Sequence, residues 1–452
     1  MSQPWQLGIT AARDCVRSGA LSAAELAASV LDRLAATEPD VHAWAAVADD
    51  VMAQADRIDR LPPSGRARLP LAGIPVGIKD VIDVEGVAGE AGSSVLAGRR
   101  PTEDAAVVTA LRNAGAIILG KTVTHEFALG QGHPATLNPW GAERYAGGSS
   151  VGSGAAVAVG SALGCLGTDT GGSVRNPAAV NGLTGMRPSA GTVDLTGVVR
   201  ASWSFDQIGP IARSVRDLGV LLGAMGVAGV GEVTEPVLPP RIGVDPAMWQ
   251  DAGVDPEVRT CVEDALGRLE SAGAQVVEVR LPGAEVITAA TITVALAEAA
   301  SVHRAWLTER AADYLPATRV MLEVGLLARD DELDLARQVG GLVRQQVRET
   351  FDRHELAAIA SPTLPVIAPL LSRYHSGLTD AETGDGLSGA LRLLTPASLC
   401  GLPAVSLPGG LVADQPVGLH LCGRHGADAE LLGLAALAER LLGLELRPPA
   451  WH

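Results

Sequence analysis

Two serines set among glycines, Ser149 in AGGSSVGSG and Ser173 in GTDTGGSVRNP, are the residues whose context best suits covalent chemistry. Glycines just before a serine clear side chains from the path of a substrate carbonyl. They also leave backbone N–H groups free to face a developing oxyanion. Gly171 and Gly172 stand in that position before Ser173, an apolar strand is expected to end at Cys165–Leu166, and Pro177 suits the first turn of a helix. A serine nucleophile needs a base, yet no histidine occurs between positions 134 and 302. The local alternative is lysine, since serine–lysine pairs can replace Ser–His–Asp. Among 35 Lys and Arg only two are Lys, Lys79 and Lys121. Lysine, unlike arginine, can lose its proton when buried. Lys79 sits in the apolar run GIPVGIKDVID, where Ile74, Val76, Ile78 and Val81 could desolvate it. Its competing role is an ion pair with the adjacent Asp80.

Two other glycine patterns match known motifs by letter only. GAIILGKT at 115–122 fits the phosphate-loop pattern, but its variable positions are Ala116, Ile117, Ile118 and Leu119, and a helix precedes it. A buried strand cannot also wrap a phosphate, so Lys121 reads as a strand-end lysine near the site. GSSVG at 148–152 fits a nucleophile elbow centred on Ser150, but the upstream NPWGAERYAG reads as loop where an elbow needs a strand. The late histidines, His375, His420 and His425, have no telling context.

The elements that must hold these residues alternate between helical and strand-like patterns with no fixed repeat, which predicts α/β architecture. The expectation is one large domain over 1–452, a central mixed sheet covered by helices on both faces. N-terminal helices are expected at 8–60, including a capping box from Ser22 to Glu25, a catalytic core at 70–220 and a helical insertion or cap at about 283–350. The stretch 145–210 is so rich in glycine that loops are expected there, apart from a buried helix running into a strand over 151–167. Strands are read at RIGV (241–244), QVVEVRL (275–281), AAIASPTL, AVSLPGGL and VGLHLCG, with helices at 256–272 and 428–442.

Composition narrows the function. The chain is 47% hydrophobic and 19% charged, with a formal net charge of −16 and no basic run, so no nucleic-acid partner is expected. The glycine-broken stretch 151–167 is too short for a membrane span. The five cysteines show no metal-ligand or CxxC spacing, and the first residues lack a basic-then-apolar leader, so a cytoplasmic protein without metal or cofactor is expected.

The runs AGIPVGIKDVIDVEG, DAAVVTALRNAGAIILGKTVTHEFALG, AGGSSVGSGAAVAVG, LGTDTGGSVRNPAAVNGLTGMRPSAGTV and FDQIGPIARSVRDL, with SPTLP and PASLCGLPAVSLPGG later, resemble the amidase signature family over about 10–445. That resemblance implies an amide hydrolase with Ser173 as nucleophile, Ser149 as bridge and Lys79 as base. It also implies an oxyanion hole from the backbone N–H groups of Thr170, Gly171, Gly172 and Ser173. Val151 departs from the family's glycine-rich run, Val180-Asn181 from an apolar-Cys pair, and GLHLCG from the usual closing strand, so pocket shape is where this chain differs. Trp203, Phe205 and Arg175 are candidates for the substrate pocket. Asp169, Arg175 and Asp206 also read as loop braces. The expected substrate is a small or medium amide or carbamoyl compound. The alternative is the glutamine-hydrolysing subunit of a tRNA-dependent amidotransferase. A homodimer is the expected assembly, with a small partner subunit left open.

Overall fold

Eleven strands form one mixed sheet in the order β1-β3-β2-β4-β6-β5-β10-β11-β9-β7-β8. The computed structural model describes residues 3–129, 134–236, 239–251, 253–372, 389 and 391–451. The strands are β1 (Trp44–Val47), β2 (Pro75–Lys79), β3 (Ile117–Thr122), β4 (Gly164–Asp169), β5 (Thr184–Arg187), β6 (Gln207–Ala212), β7 (Arg241–Val244), β8 (Gln275–Glu278), β9 (Ala358–Pro362), β10 (Ala404–Val412) and β11 (Gln415–Cys422). β2 runs parallel to β3 and β4, and β7 parallel to β8 and β9; the other pairings, β1 with β3 among them, are antiparallel. β2 and β4 are buried at every position, as expected for strands covered on both faces.

Ser22 caps helix Ala23–Val41 as its sequence predicts: its hydroxyl accepts from the Glu25 N–H at 3.0 Å, and the Glu25 carboxylate accepts from the Ser22 N–H at 2.8 Å. β1 follows that helix and has no counterpart among the expected strands. Its four residues, Trp-Ala-Ala-Val, carry too little strand preference to mark an edge strand.

The glycine-rich stretch 145–210 is more ordered than its composition implies. It contains helices Val151–Val159 and Arg175–Val180 and strands β4, β5 and β6. Glycine and alanine there permit close packing: helix Val151–Val159 is built from Val, Gly, Ser and Ala and buries all but one of its residues. The helix and strand expected over 151–167 are found as Val151–Val159 and β4, while the remaining stretch, expected as loops, also forms helix Arg175–Val180 and strands β5 and β6.

Between β8 and β9 the chain makes three helices, Ala284–Arg310, Pro316–Leu326 and Asp330–His354. The segment Ala284–Asp313 is long and apolar enough to cross a membrane by composition. Its first helix instead buries Ile287, Thr291, Val294 and Glu298 within the protein, as an interior helix does.

Candidate active site

Lys79 ends β2 and Asp169 ends β4, so two parallel strands deliver their last residues to the same edge of the sheet. Ligands of open α/β sheets gather at such carboxyl ends. The Lys79 side chain is wholly buried. Its Nζ lies 2.8 Å from Ser149 Oγ, 2.8 Å from Thr168 Oγ1 and 3.5 Å from the Thr168 carbonyl. No carboxylate is among these neighbours. Burial pulls the lysine pKa down to about 7, against the charges of Asp206 and Asp169, which favour the protonated form. A neutral amine can donate to Thr168 while its lone pair faces the Ser149 hydroxyl. Thr168 escaped the sequence reading because one threonine on a buried strand carries no signal of its own.

Ser149 precedes helix Val151–Val159, and the Gly148–Ser149 peptide is cis. A side chain at Gly148 would meet Tyr145 Oη at 2.6 Å and the His125 ring, which is why that position is bare. Ser150 faces elsewhere: its hydroxyl donates to the Thr168 carbonyl at 3.3 Å, and its N–H to the Ser173 carbonyl at 3.3 Å. It is a brace, and the loop before it excludes the nucleophile-elbow geometry.

Asp169 organises the turn carrying Ser173. Its carboxylate accepts from the N–H groups of Gly172 at 2.9 Å and Val174 at 3.3 Å, and from Arg175 at 2.9 and 3.0 Å. Arg187 adds a second guanidinium at 3.3 Å. Burial opposes ionisation of Asp169, but the two arginines hold it well below the usual carboxylate range. This corrects two expectations. The Gly172 N–H is already engaged by Asp169, so it does not face an oxyanion. Arg175 takes the brace role also read for it, paired with the carboxylate and fully buried, and so is not the pocket residue it was offered as. Among the described residues, the N–H groups of Gly171 and Ser173 bond no acceptor, and both residues border the cavity, as does Thr170. Gly172 has φ +124°, and Leu394 crowds the space where a side chain would project, so glycine is required there.

Asp206 ties the neighbouring loop: it accepts from Thr170 Oγ1 at 2.6 Å and from the N–H groups of Ala201 and Ser202 at 2.9 and 3.0 Å. Of the late histidines, His420 meets Arg175 at 3.1 Å, and burial with that guanidinium pushes its pKa well down. His375 lies outside the described residues.

Ser149 and Ser173 open onto a cavity of about 100 Å³. Its walls include Leu129, Ile292, Leu296, Met321, Leu391 and Leu394, and no charged side chain lines it among the described residues. Trp203 is 52% exposed and borders no part of this cavity, and Phe205 lines a different one. Those two pocket assignments are corrected; the wall comes instead from helices Ala284–Arg310 and Pro316–Leu326, whose apolar residues look like ordinary core in sequence.

Lys121 is the other surprise. It is buried inside β3 and pairs with Asp80 at 3.1 Å, taking the ion-pair role weighed for Lys79.

A family model described as Amidase matches residues 25–432. The chain belongs to the amidase signature family, enzymes that hydrolyse carbon–nitrogen bonds. It is 36% identical to the A-type subunit of the glutamyl-tRNA(Gln) amidotransferase of Roseiflexus castenholzii, covering 99% of this chain and 98% of that protein. Among solved structures, a crystal structure of an amidase superposes with a TM-score of 0.87 at 32% identity, covering 96% and 99% of the two chains. A chain from a vestigial protein complex bearing on the origins of an s-triazine catabolic enzyme superposes at 0.85 with 28% identity, covering 98% and 100%.

Proposed function

We propose that this protein is an amidohydrolase that cleaves a small amide or carbamoyl compound with an uncharged acyl group through an acyl-enzyme on Ser173. Neutral Lys79 accepts a proton from Ser149, which accepts one from Ser173 as Ser173 Oγ attacks the carbonyl. The N–H groups of Gly171 and Ser173, with that of Thr170, receive the oxyanion. The proton returns along the same relay to the leaving nitrogen, and water then clears the ester. The single observation that supports this reading is a wholly buried lysine, 2.8 Å from Ser149, with its pKa lowered to about 7. The chemistry needs no metal or cofactor, and a cytoplasmic location fits its free thiols.

The second reading, a glutamine-hydrolysing amidotransferase subunit, rests on the 36% identity spanning both chains. A glutamine site must accept an α-ammonium and an α-carboxylate, and buried charges require partners. Among the described residues the cavity lining offers those charges no charged partner, which favours the first reading. Ammonia release from short aliphatic amides, a carbamoyl compound and glutamine distinguishes them. The expected kcat/KM for the best neutral substrate exceeds that for glutamine by at least about a hundredfold, the scale at which an apolar pocket rejects an added polar group. Preference for glutamine sinks the first reading. Size-exclusion of the pure chain adds whether it stands as a homodimer or awaits a partner.

A further inference from the structure

Behind the catalytic cavity lies a larger one of about 820 Å³, and the two share three walls. Helix Ala284–Arg310 turns Ile292 and Leu296 to the catalytic side and Val294 to the other. Helix Thr395–Cys400 presents Thr395 to one cavity and Ser398 and Leu399 to the other. The loop after Ala201 gives Ser202 to the catalytic cavity and Ser204 with Phe205 to its neighbour. Glu298 fastens that loop, accepting from both serine hydroxyls at 2.5 Å. The partition is hydrogen-bonded.

The chemistry of the larger cavity differs. Arg337, Arg344 and Arg348 line it from helix Asp330–His354, and intervals of seven and four put them on one helix face. Arg424 and His425 line it from the turn after β11. Asp352 is the only lining carboxylate among the described residues, and it is paired with Arg424. Asp334 sits 3.7 Å from Arg337 on the exposed rim. Arg344 donates to the Leu399 carbonyl at 3.1 Å, whereas Arg348 has no hydrogen-bond or ion-pair partner among the described residues. Ala336, Val347 and Phe351 supply an apolar floor. Arg424 is spent on Asp352 and on the Leu356 and Phe351 carbonyls. Three more guanidiniums against the rim carboxylate Asp334 still leave a local excess of positive charge, unexpected on a chain of net charge −16. The planar guanidinium fork matches carboxylate and phosphate oxygens, and the volume falls within the range of small-molecule sites.

We propose that this cavity is a second ligand site, taking a small organic anion whose carboxylate or phosphate meets the arginines while its apolar body rests on Val347 and Phe351. It is distinct from the amide site, which has no charged lining among the described residues. Titration calorimetry on the full chain at low salt, with phthalate and phenyl phosphate as probes and benzyl alcohol as neutral control, tests this. At least one anion binds saturably, and which one identifies the headgroup. Arg337→Gln/Arg348→Gln weakens that binding by about tenfold or more, the scale of losing charge-assisted bonds. Both arginines are exposed, so the fold persists, and Arg319→Gln on helix Pro316–Leu326, outside the cavity, leaves binding unchanged. Saturation by neither anion overturns the proposal. So does equal affinity in the double variant, binding of benzyl alcohol as tight as that of the anions, or competition between the anion and the amide for the Ser173 cavity.

Discussion

Lys79 and Lys121 lie on neighbouring parallel strands, Lys79 opposite Thr122 and Lys121 opposite Ile78, yet they are built for different tasks. Strand alternation sends them to opposite faces of the sheet. Both are completely buried, and in both burial is the largest force lowering the pKa. Lys121 has the Asp80 carboxylate at 3.1 Å, while Lys79, among the described residues, has only the hydroxyls of Ser149 and Thr168 and a backbone carbonyl within reach. A carboxylate makes the first a structural cation. Hydroxyls impose no such charge on the second, which the proposed mechanism uses as a neutral base. Burial supplies the shift, and the neighbour decides what the shift is for.

The sharpest way to break this contrast is Lys79→Arg. It keeps a cation but removes the base, and kcat should fall by at least about a hundredfold in a steady-state ammonia assay, the usual contribution of a general base. Near-normal turnover would make Lys79 a second structural cation. Next comes pH. In the proposed mechanism the active form of Lys79 is neutral, and burial brings its pKa to about 7, so kcat/KM should be flat above that value. Below it kcat/KM should drop about tenfold per unit as the amine takes a proton. A profile with its optimum near pH 5 would contradict a lysine base.

Lys121→Met tests the other member. It leaves Asp80 buried without its cation, which should destabilise the fold by about 3–5 kcal/mol in urea unfolding. The Lys121→Met/Asp80→Asn variant should recover part of that loss, while the folded fraction keeps its turnover. Abolished turnover without loss of stability would assign Lys121 to the chemistry. The smallest effect belongs to Trp203→Ala. An exposed side chain off the cavity should change kcat/KM by no more than about twofold, and a large drop would return Trp203 to the pocket.

The fold class and the candidates Lys79, Ser149 and Ser173 stood out because their signals are local, while the roles proposed for the three came from the family resemblance. Capping at Ser22, the apolar strand before Thr168 and glycines beside each serine can all be read within a few residues. The pocket could not be read so. Leu296 and Met321 come from helices that sequence shows only as apolar, and they reach Ser173 through tertiary packing. Phe205 misled because an aromatic two residues from Trp203 looked like one wall, whereas the loop sends one outward and the other into the larger cavity. The Gly172 N–H misled for a different reason: Asp169 reaches three residues forward to take it, a competition between acceptors that spacing does not reveal.

The complete burial of both lysines also governs how this protein meets reagents. With every other side-chain cation arginine or histidine, no lysine amine is offered to solvent anywhere on the folded chain. Amine-directed labels, cross-linkers and acyl donors therefore find no side-chain target on the surface. Any lysine adduct reports either unfolding or entry through the catalytic cavity. Lys79 and Lys121 would then separate those two events: a modifier small enough to pass Ser149 marks the first alone, and global opening marks both.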